Sequence, residues 1–108
     1  MRAAVFHGNG DLRVEEWPMP ELAADEVVIR VEASGICGSD LQIVNVPPGH
    51  PSSPPVVLGH EFVGRVHAVG SAVTDLRVDQ RVTVDPDPKC GRCHYCRGGR
   101  PPHSEQIV

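Results

Sequence analysis

Eleven glycines and eleven prolines are spread along these 108 residues, and that punctuation points away from a bundle of long helices. Glycine weakens a helix through backbone entropy; proline lacks the N–H and its ring clashes with the preceding turn. The chain that remains is loop-rich, turn-rich and β in character, and its length suits one small domain with a modest core. That core must be aliphatic. Apolar residues make up 40% of the sequence, yet one Trp, one Tyr and two Phe are the whole aromatic complement.

Between the breakers, short segments read as strands. Met1–Phe6 and Leu12–Trp17 flank the turn formers Gly8-Asn9-Gly10-Asp11, a hairpin signal, and Pro18 and Pro20 end the second strand. Glu26–Ala33 alternates, with Val27, Ile29, Val31 and Ala33 on one face, and predicts a half-buried strand. Ser34–Gly38 is a small-residue bend, and Ser39–Val44 predicts a short helix capped by Ser39. Val46–Pro55 reads as a proline-rich surface loop. Glu61–Val69 alternates again, Phe62, Gly64, Val66 and Ala68 sharing a face; Gly70-Ser71 turns the chain, and Arg81–Val84 is a last short strand. From Asp85 onward the sequence has no period and reads as a loop organised by metal. The pattern predicts a mainly β fold, a small irregular barrel.

The formal charge of −4 argues against nucleic acid as a partner. Lys89, Arg92, Arg97 and Arg100 nevertheless cluster in a stretch without acids between Pro88 and Ser104. Such cations fit an anion-binding patch, and fit better a solvated loop whose charges offset metal-bound thiolates. No apolar run reaches the length of a membrane span, and the N-terminus has no signal-peptide pattern. The reading is of a soluble, cytoplasmic chain with no membrane partner, in which clustered cysteines serve metals before disulfides.

Three thiols crowd into Cys90-Gly91-Arg92-Cys93-His94-Tyr95-Cys96. Two residues between successive cysteines let the sulfurs face one ion, and thiolates suit zinc or an iron–sulfur cluster. A tetrahedral site needs a fourth ligand, and only three thiols are local. A second constellation lies upstream: Cys37 in Gly35-Ile36-Cys37-Gly38-Ser39-Asp40, and His60-Glu61 in Gly59-His60-Glu61-Phe62-Val63-Gly64. Taken singly, such a Cys is a small buried hydrophobe and a His-Glu pair is surface polarity. The setting of Gly59, Gly64 and Gly70 raises the alternative, an unobstructed backbone around a buried site. Cys, His and Glu all ligate zinc, and a site with an open position is catalytic.

These three motifs, in this order, resemble the N-terminal GroES-like catalytic domain of the zinc-dependent medium-chain alcohol and polyol dehydrogenases. They are Gly35-Ile36-Cys37-Gly38-Ser39-Asp40, Gly59-His60-Glu61 with Gly64, Gly70 and Val73, and Cys90-x-x-Cys93-x-x-Cys96. The resemblance runs from Met1 to about Pro101. It implies a partial GroES-like β-barrel over residues 1–108 with a cysteine-rich metal-binding lobe. It further implies that Cys37 and His60 bind a catalytic zinc, with Glu61 a ligand or close neighbour that exchanges with water or substrate. Ser39 would relay a proton from the alcohol and Asp40 would orient His60. The implied chemistry is Lewis-acid activation of a small-molecule alcohol or polyol by zinc, with hydride passing to NAD(P). Cys90, Cys93 and Cys96 would hold a separate structural zinc, and family members are homo-oligomers.

The departures are equally specific. Ser104 stands where the family's fourth structural cysteine falls, eight residues after Cys96, and the adjacent His103 is the candidate to complete a Cys₃His site. Gln42 stands where many members carry a relay histidine, and Asp79-Gln80-Arg81-Val82 replaces the usual Gly-Asp-Arg-Val turn. The chain is about a third of a family member in length. No strand–Gly-x-Gly-x-x-Gly–helix unit occurs, since Gly8-Asn9-Gly10 opens a turn before a strand, so the Rossmann domain is expected to be absent. The expectation is the front portion of a zinc- and NAD(P)-dependent dehydrogenase, inactive as this chain alone. A small non-catalytic zinc-binding or interaction module derived from such an enzyme is the alternative. An electron-transfer protein is a third reading, disfavoured because Arg100 stands where a ferredoxin-type run would place its last cysteine.

Overall fold

The computed structural model describes residues 1–45, 53–87 and 89–99, the side chain of Tyr95 excepted. Its first feature is the expected hairpin. Strands β1 (Arg2–Gly8) and β2 (Asp11–Glu16) pair antiparallel from Arg2↔Glu16 to Gly8↔Asp11. The two-residue loop between them holds Asn9 at φ 52° and Gly10 at φ 78°. Two successive positive φ values give the turn a twist that matches the strands, and Asn-Gly is the pair that tolerates them.

A two-residue strand that the sequence reading missed, β4 (Val56–Val57), adds to the other edge of β1 through Val5↔Val57 and Phe6↔Val56. The first sheet therefore runs β2-β1-β4. With a partner on either side, β1 carries two of the three buried apolar residues among the described ones, Val5 at 0% and Phe6 at 5% exposure. Helix α1 (Gly38–Asn45) precedes β4 in the chain and is one residue longer at each end than the sequence suggested.

The second sheet runs β3-β5-β6, formed by β3 (Val27–Ser34), β5 (Phe62–Val69) and β6 (Arg81–Thr83), all antiparallel. Along β5 the expected inward face holds: Gly64 and Val66 are buried, with Phe62 and Ala68 half-buried. Along β3 the alternation does not survive. The register shifts between Val28 and Ile29 and again between Val31 and Ala33. The residue left over is His67 of β5 at the first shift and Glu32 of β3 at the second, and on this edge strand Val31, expected inside, is 53% exposed. Gly64 permits the close pairing; a Cβ there would stand 2.2 Å from the Arg30 carbonyl oxygen.

Both sheets are three-stranded and open, which is the partial barrel the resemblance implied. Val66 is the third buried apolar residue among the described ones, and Val14, Ile36, Val63 and Val78 remain exposed. The stretch after Asp85 is not wholly irregular: α2 (His94–Arg97) makes one helical turn inside the cysteine motif. No helix among the described residues is long and apolar enough to cross a membrane.

Candidate metal centres

Cys37 immediately precedes α1, and the helix start is built around it. The Asp40 N–H donates to the Cys37 carbonyl at 3.1 Å, while the Cys37 N–H donates to Asp40 Oδ2 at 2.9 Å. This return bond, from the residue three positions on, is the carboxylate half of a capping box. The cap is therefore the Cys37–Asp40 pair, and Ser39, expected as the cap, lies inside the helix. Its hydroxyl is then available elsewhere: Ser39 Oγ lies 3.3 Å from His60 Nε2.

His60 and Glu61 come from the segment just before β5. Gly59, at φ 120°, turns the chain into them. The β3–β5 ladder continues one step past Ser34↔Phe62, with the Gly35 N–H donating to the Glu61 carbonyl at 2.7 Å. That step fixes the backbone of Glu61 beside the strand that leads to Cys37. As a result Cys37 Sγ, a ring nitrogen of His60 and a carboxylate oxygen of Glu61 all lie within 4.8 Å of one another. Sulfur and nitrogen ligands on one tetrahedral zinc stand about 3.6 Å apart at ordinary bond lengths, so these three donors fit one ion.

The second carboxylate oxygen of Asp40 strengthens that fit. Oδ1 is buried and makes no hydrogen bond, and His60 Nδ1 faces it at 3.4 Å. A buried unsatisfied polar atom costs about 1–3 kcal/mol. Movement of the ring by a few tenths of an ångström toward Asp40 would close the bond. A proton on Nδ1 facing that carboxylate would leave the Nε2 lone pair for a ligand or for the Ser39 hydroxyl. An open groove of about 530 Å³ adjoins the cluster, with His60 and Glu61 at one side and Ala33, Phe62, Val84 and Pro86 as apolar walls.

The second cluster is built by the helical turn α2. Cys93 is its N-cap, and its sulfur accepts from the Cys96 N–H at 3.4 Å; Cys90 Sγ accepts from the Cys93 N–H at 3.3 Å. Each sulfur thus does what an oxygen of Ser or Asp does at an ordinary cap. Three donors, one from each cysteine, lie within 4.8 Å of one another. Cys90 and Cys96 sulfurs are 3.9 Å apart, far beyond a disulfide bond and close to the ~3.8 Å edge of a tetrahedral zinc–thiolate site. Lys89 forms an ion pair with Asp85. Its ammonium is pushed above the usual lysine range first by the hydrogen bond to Asp85, and Cys96 adds to the effect. The partner of this cation in the ion pair is thus the Asp85 carboxylate.

The structure therefore brings together Cys37, Ser39, Asp40, His60 and Glu61 in one place, and Cys90, Cys93 and Cys96 in another. His103 and Ser104 lie outside the described residues. Two expectations about glycines change. Gly64 and Gly70 do not clear room around His60-Glu61: Gly64 abuts Arg30 and Ile29, and Gly70 abuts Ala23 and Ala24. Gly35 is the glycine against Glu61, and its place in a Gly-x-Cys-Gly run was the available signal.

Two open antiparallel sheets that carry a Cys–His–Glu cluster and a separate three-cysteine turn define a small β domain organised around metal-competent centres. Residues 23–107 match the family described as Alcohol dehydrogenase GroES-like domain, and the chain belongs to that family. It is 45% identical over 102 residues to the sorbitol dehydrogenase of Bacillus subtilis (strain 168), a match covering 93% of this chain and 29% of that protein. Among solved structures it is similar to the alcohol dehydrogenase TADH from Thermus sp. ATN1, with TM-score 0.83, 39% identity, and coverage of 99% of this chain and 31% of that one. It is also similar to zinc dependent alcohol dehydrogenase 2 from Streptococcus pneumonia, with TM-score 0.80, 29% identity, and coverage of 98% and 30%. The chain spans less than a third of the length of these relatives.

Proposed function

We propose that these residues form the zinc- and substrate-holding front part of an NAD(P)-dependent alcohol or polyol dehydrogenase. The observation that carries this reading is the convergence of Cys37, His60 and Glu61 donors within 4.8 Å from two separate segments of chain. Bound there, zinc supplies Lewis acidity toward an alcohol oxygen. Cys37 and His60 would hold it, with the Glu61 carboxylate as a third, exchangeable donor. Asp40 keeps His60 in the tautomer that presents Nε2, and the half-buried Ser39 hydroxyl beside that nitrogen takes up and passes on a proton. The groove against His60 has the size of a small-ligand site, and its apolar walls with polar residues at one side suit a small alcohol or polyol.

Cys90, Cys93 and Cys96 hold a second, structural zinc, with His103 as the fourth ligand. The hydride acceptor binds outside residues 1–108, which form a partial catalytic domain without a Rossmann unit. The protein works in the cytoplasm, and the family resemblance implies a homo-oligomer. Cobalt(II) titration of the chain tests the reading, because thiolate-to-cobalt charge transfer reports each site. Cys37→Ser and Cys93→Ser are expected to remove different parts of the absorption. A spectrum unchanged by Cys37→Ser contradicts the catalytic site.

A further inference from the structure

Gly35 faces the Glu61 carboxylate so closely that a side chain at position 35 would press on it. A Cβ built on Gly35 would lie 3.0 Å from Glu61 Oε2, tighter than nearly all real contacts of that kind. Its next neighbours, Glu61 Cβ at 3.5 Å and the Glu61 carbonyl oxygen at 3.6 Å, are at ordinary van der Waals distance. The one crowded atom is therefore the far end of the Glu61 side chain. The backbone does not explain the glycine: Gly35 is not among the glycines with positive φ, so a residue with a side chain can adopt its conformation. What the missing Cβ leaves is a slot. The backbone on both sides of it is pinned, by the Gly35 N–H to the Glu61 carbonyl at 2.7 Å and by the Ser34 hydroxyl, 3.4 Å from the same oxygen. With the main chain fixed, the position of the carboxylate is decided by the space available to it.

We propose that Gly35 is a positioning residue for the metal centre: the absent side chain keeps open the slot from which the Glu61 carboxylate reaches the ion held by Cys37 and His60. This rests on the zinc site proposed above and adds a residue that acts on it without ligating. A methyl group at position 35 displaces the exposed, flexible carboxylate and leaves the Cys37 and His60 donors where they are. The centre then loses its carboxylate as if Glu61 had been removed.

The prediction is a coupling between two positions. In cobalt(II) and zinc titrations of the 108-residue chain, the binding step of this centre is identified as the step abolished by Cys37→Ser. Gly35→Ala should weaken that step by about tenfold, the scale on which residues around a metal site tune its affinity, and give it the absorption spectrum of Glu61→Ala. In the Glu61→Ala background, Gly35→Ala should change neither affinity nor spectrum. Far-UV circular dichroism should show all four proteins folded alike. The inference is overturned by an equal weakening in both backgrounds, by no weakening in the parent, or by loss of fold on Gly35→Ala. If instead Cys37→Ser abolishes no step, it is the zinc-site reading itself that fails.

Discussion

Gly64 lies within β5 and Asp79 bonds to the same strand at Val66, and the two make opposite predictions. A Cβ at Gly64 would meet the Arg30 carbonyl oxygen at 2.2 Å and Ile29 Cγ2 at 2.9 Å. The first is main chain within a paired ladder and cannot swing aside. Gly64→Ala should therefore cost about 3 kcal/mol, the upper range for overpacking, read as a lower urea midpoint. A change within about 0.5 kcal/mol, the range of ordinary surface substitutions, would contradict the close pairing of β3 and β5. Asp79 is the reverse case. It sits at φ 71°, and Val66 bonds to both it and Gln80, accepting from the Asp79 N–H at 2.8 Å and donating to the Gln80 carbonyl at 2.9 Å. Two residues opposite one, the first in the left-handed region, is the bulge that glycine favours. The Asp-for-Gly difference noted in the sequence thus has a physical meaning. Left-handed backbone costs an L-residue about 1–2 kcal/mol, less for Asp, against the ~0.5–1 kcal/mol that glycine loses in entropy. The Asp79 side chain is 76% exposed and 4.0 Å from Arg65, too open a pair to matter much. Asp79→Gly should raise stability by about 0.5 kcal/mol, or the melting temperature by about 3 °C; a lower melting temperature would contradict it.

At the scale of elements, the hairpin and β5 were legible because Asn-Gly turn chemistry and a period of two state them directly. The shape of β3 was not, since its two register shifts respond to the partner strand and leave no mark in its own alternation. Strand β4 escaped notice because two residues after a proline-rich stretch carry no period; only pairing with β1 makes them a strand. The start of α1 was misread and α2 was missed for one reason. Caps are recognised by the oxygens of Ser, Thr, Asp and Asn, and here Cys37 and Cys93 hold those places. The residues read as metal ligands are thus also the residues that set the helix starts. In the cysteine lobe, Lys89 and Asp85 pair across four positions at its entrance. The Asp85 carboxyl is held below the usual carboxylate range first by the Lys89 hydrogen bond and then by the Asp87 N–H. Lys89→Met should move the Asp85 carboxyl titration upward in carbon-detected NMR, with little change in folding stability because both groups are at the surface. An unmoved midpoint would mean the pair does not form in solution.

For the molecule as a whole, two open three-stranded sheets hold two donor clusters, each assembled from residues the sequence had already singled out. What sequence spacing could not supply was distance. Cys37 and His60 are 23 positions apart in the chain, and only the β3–β5 ladder, extended through Gly35 and Glu61, brings them together. The central claim is that this meeting point is a metal site distinct from the cysteine turn. Native mass spectrometry of the chain in excess zinc tests it directly. The two clusters predict two ions on the parent protein and one on each of Cys37→Ser and Cys93→Ser. A single ion on the parent, or two retained by Cys37→Ser, would contradict it.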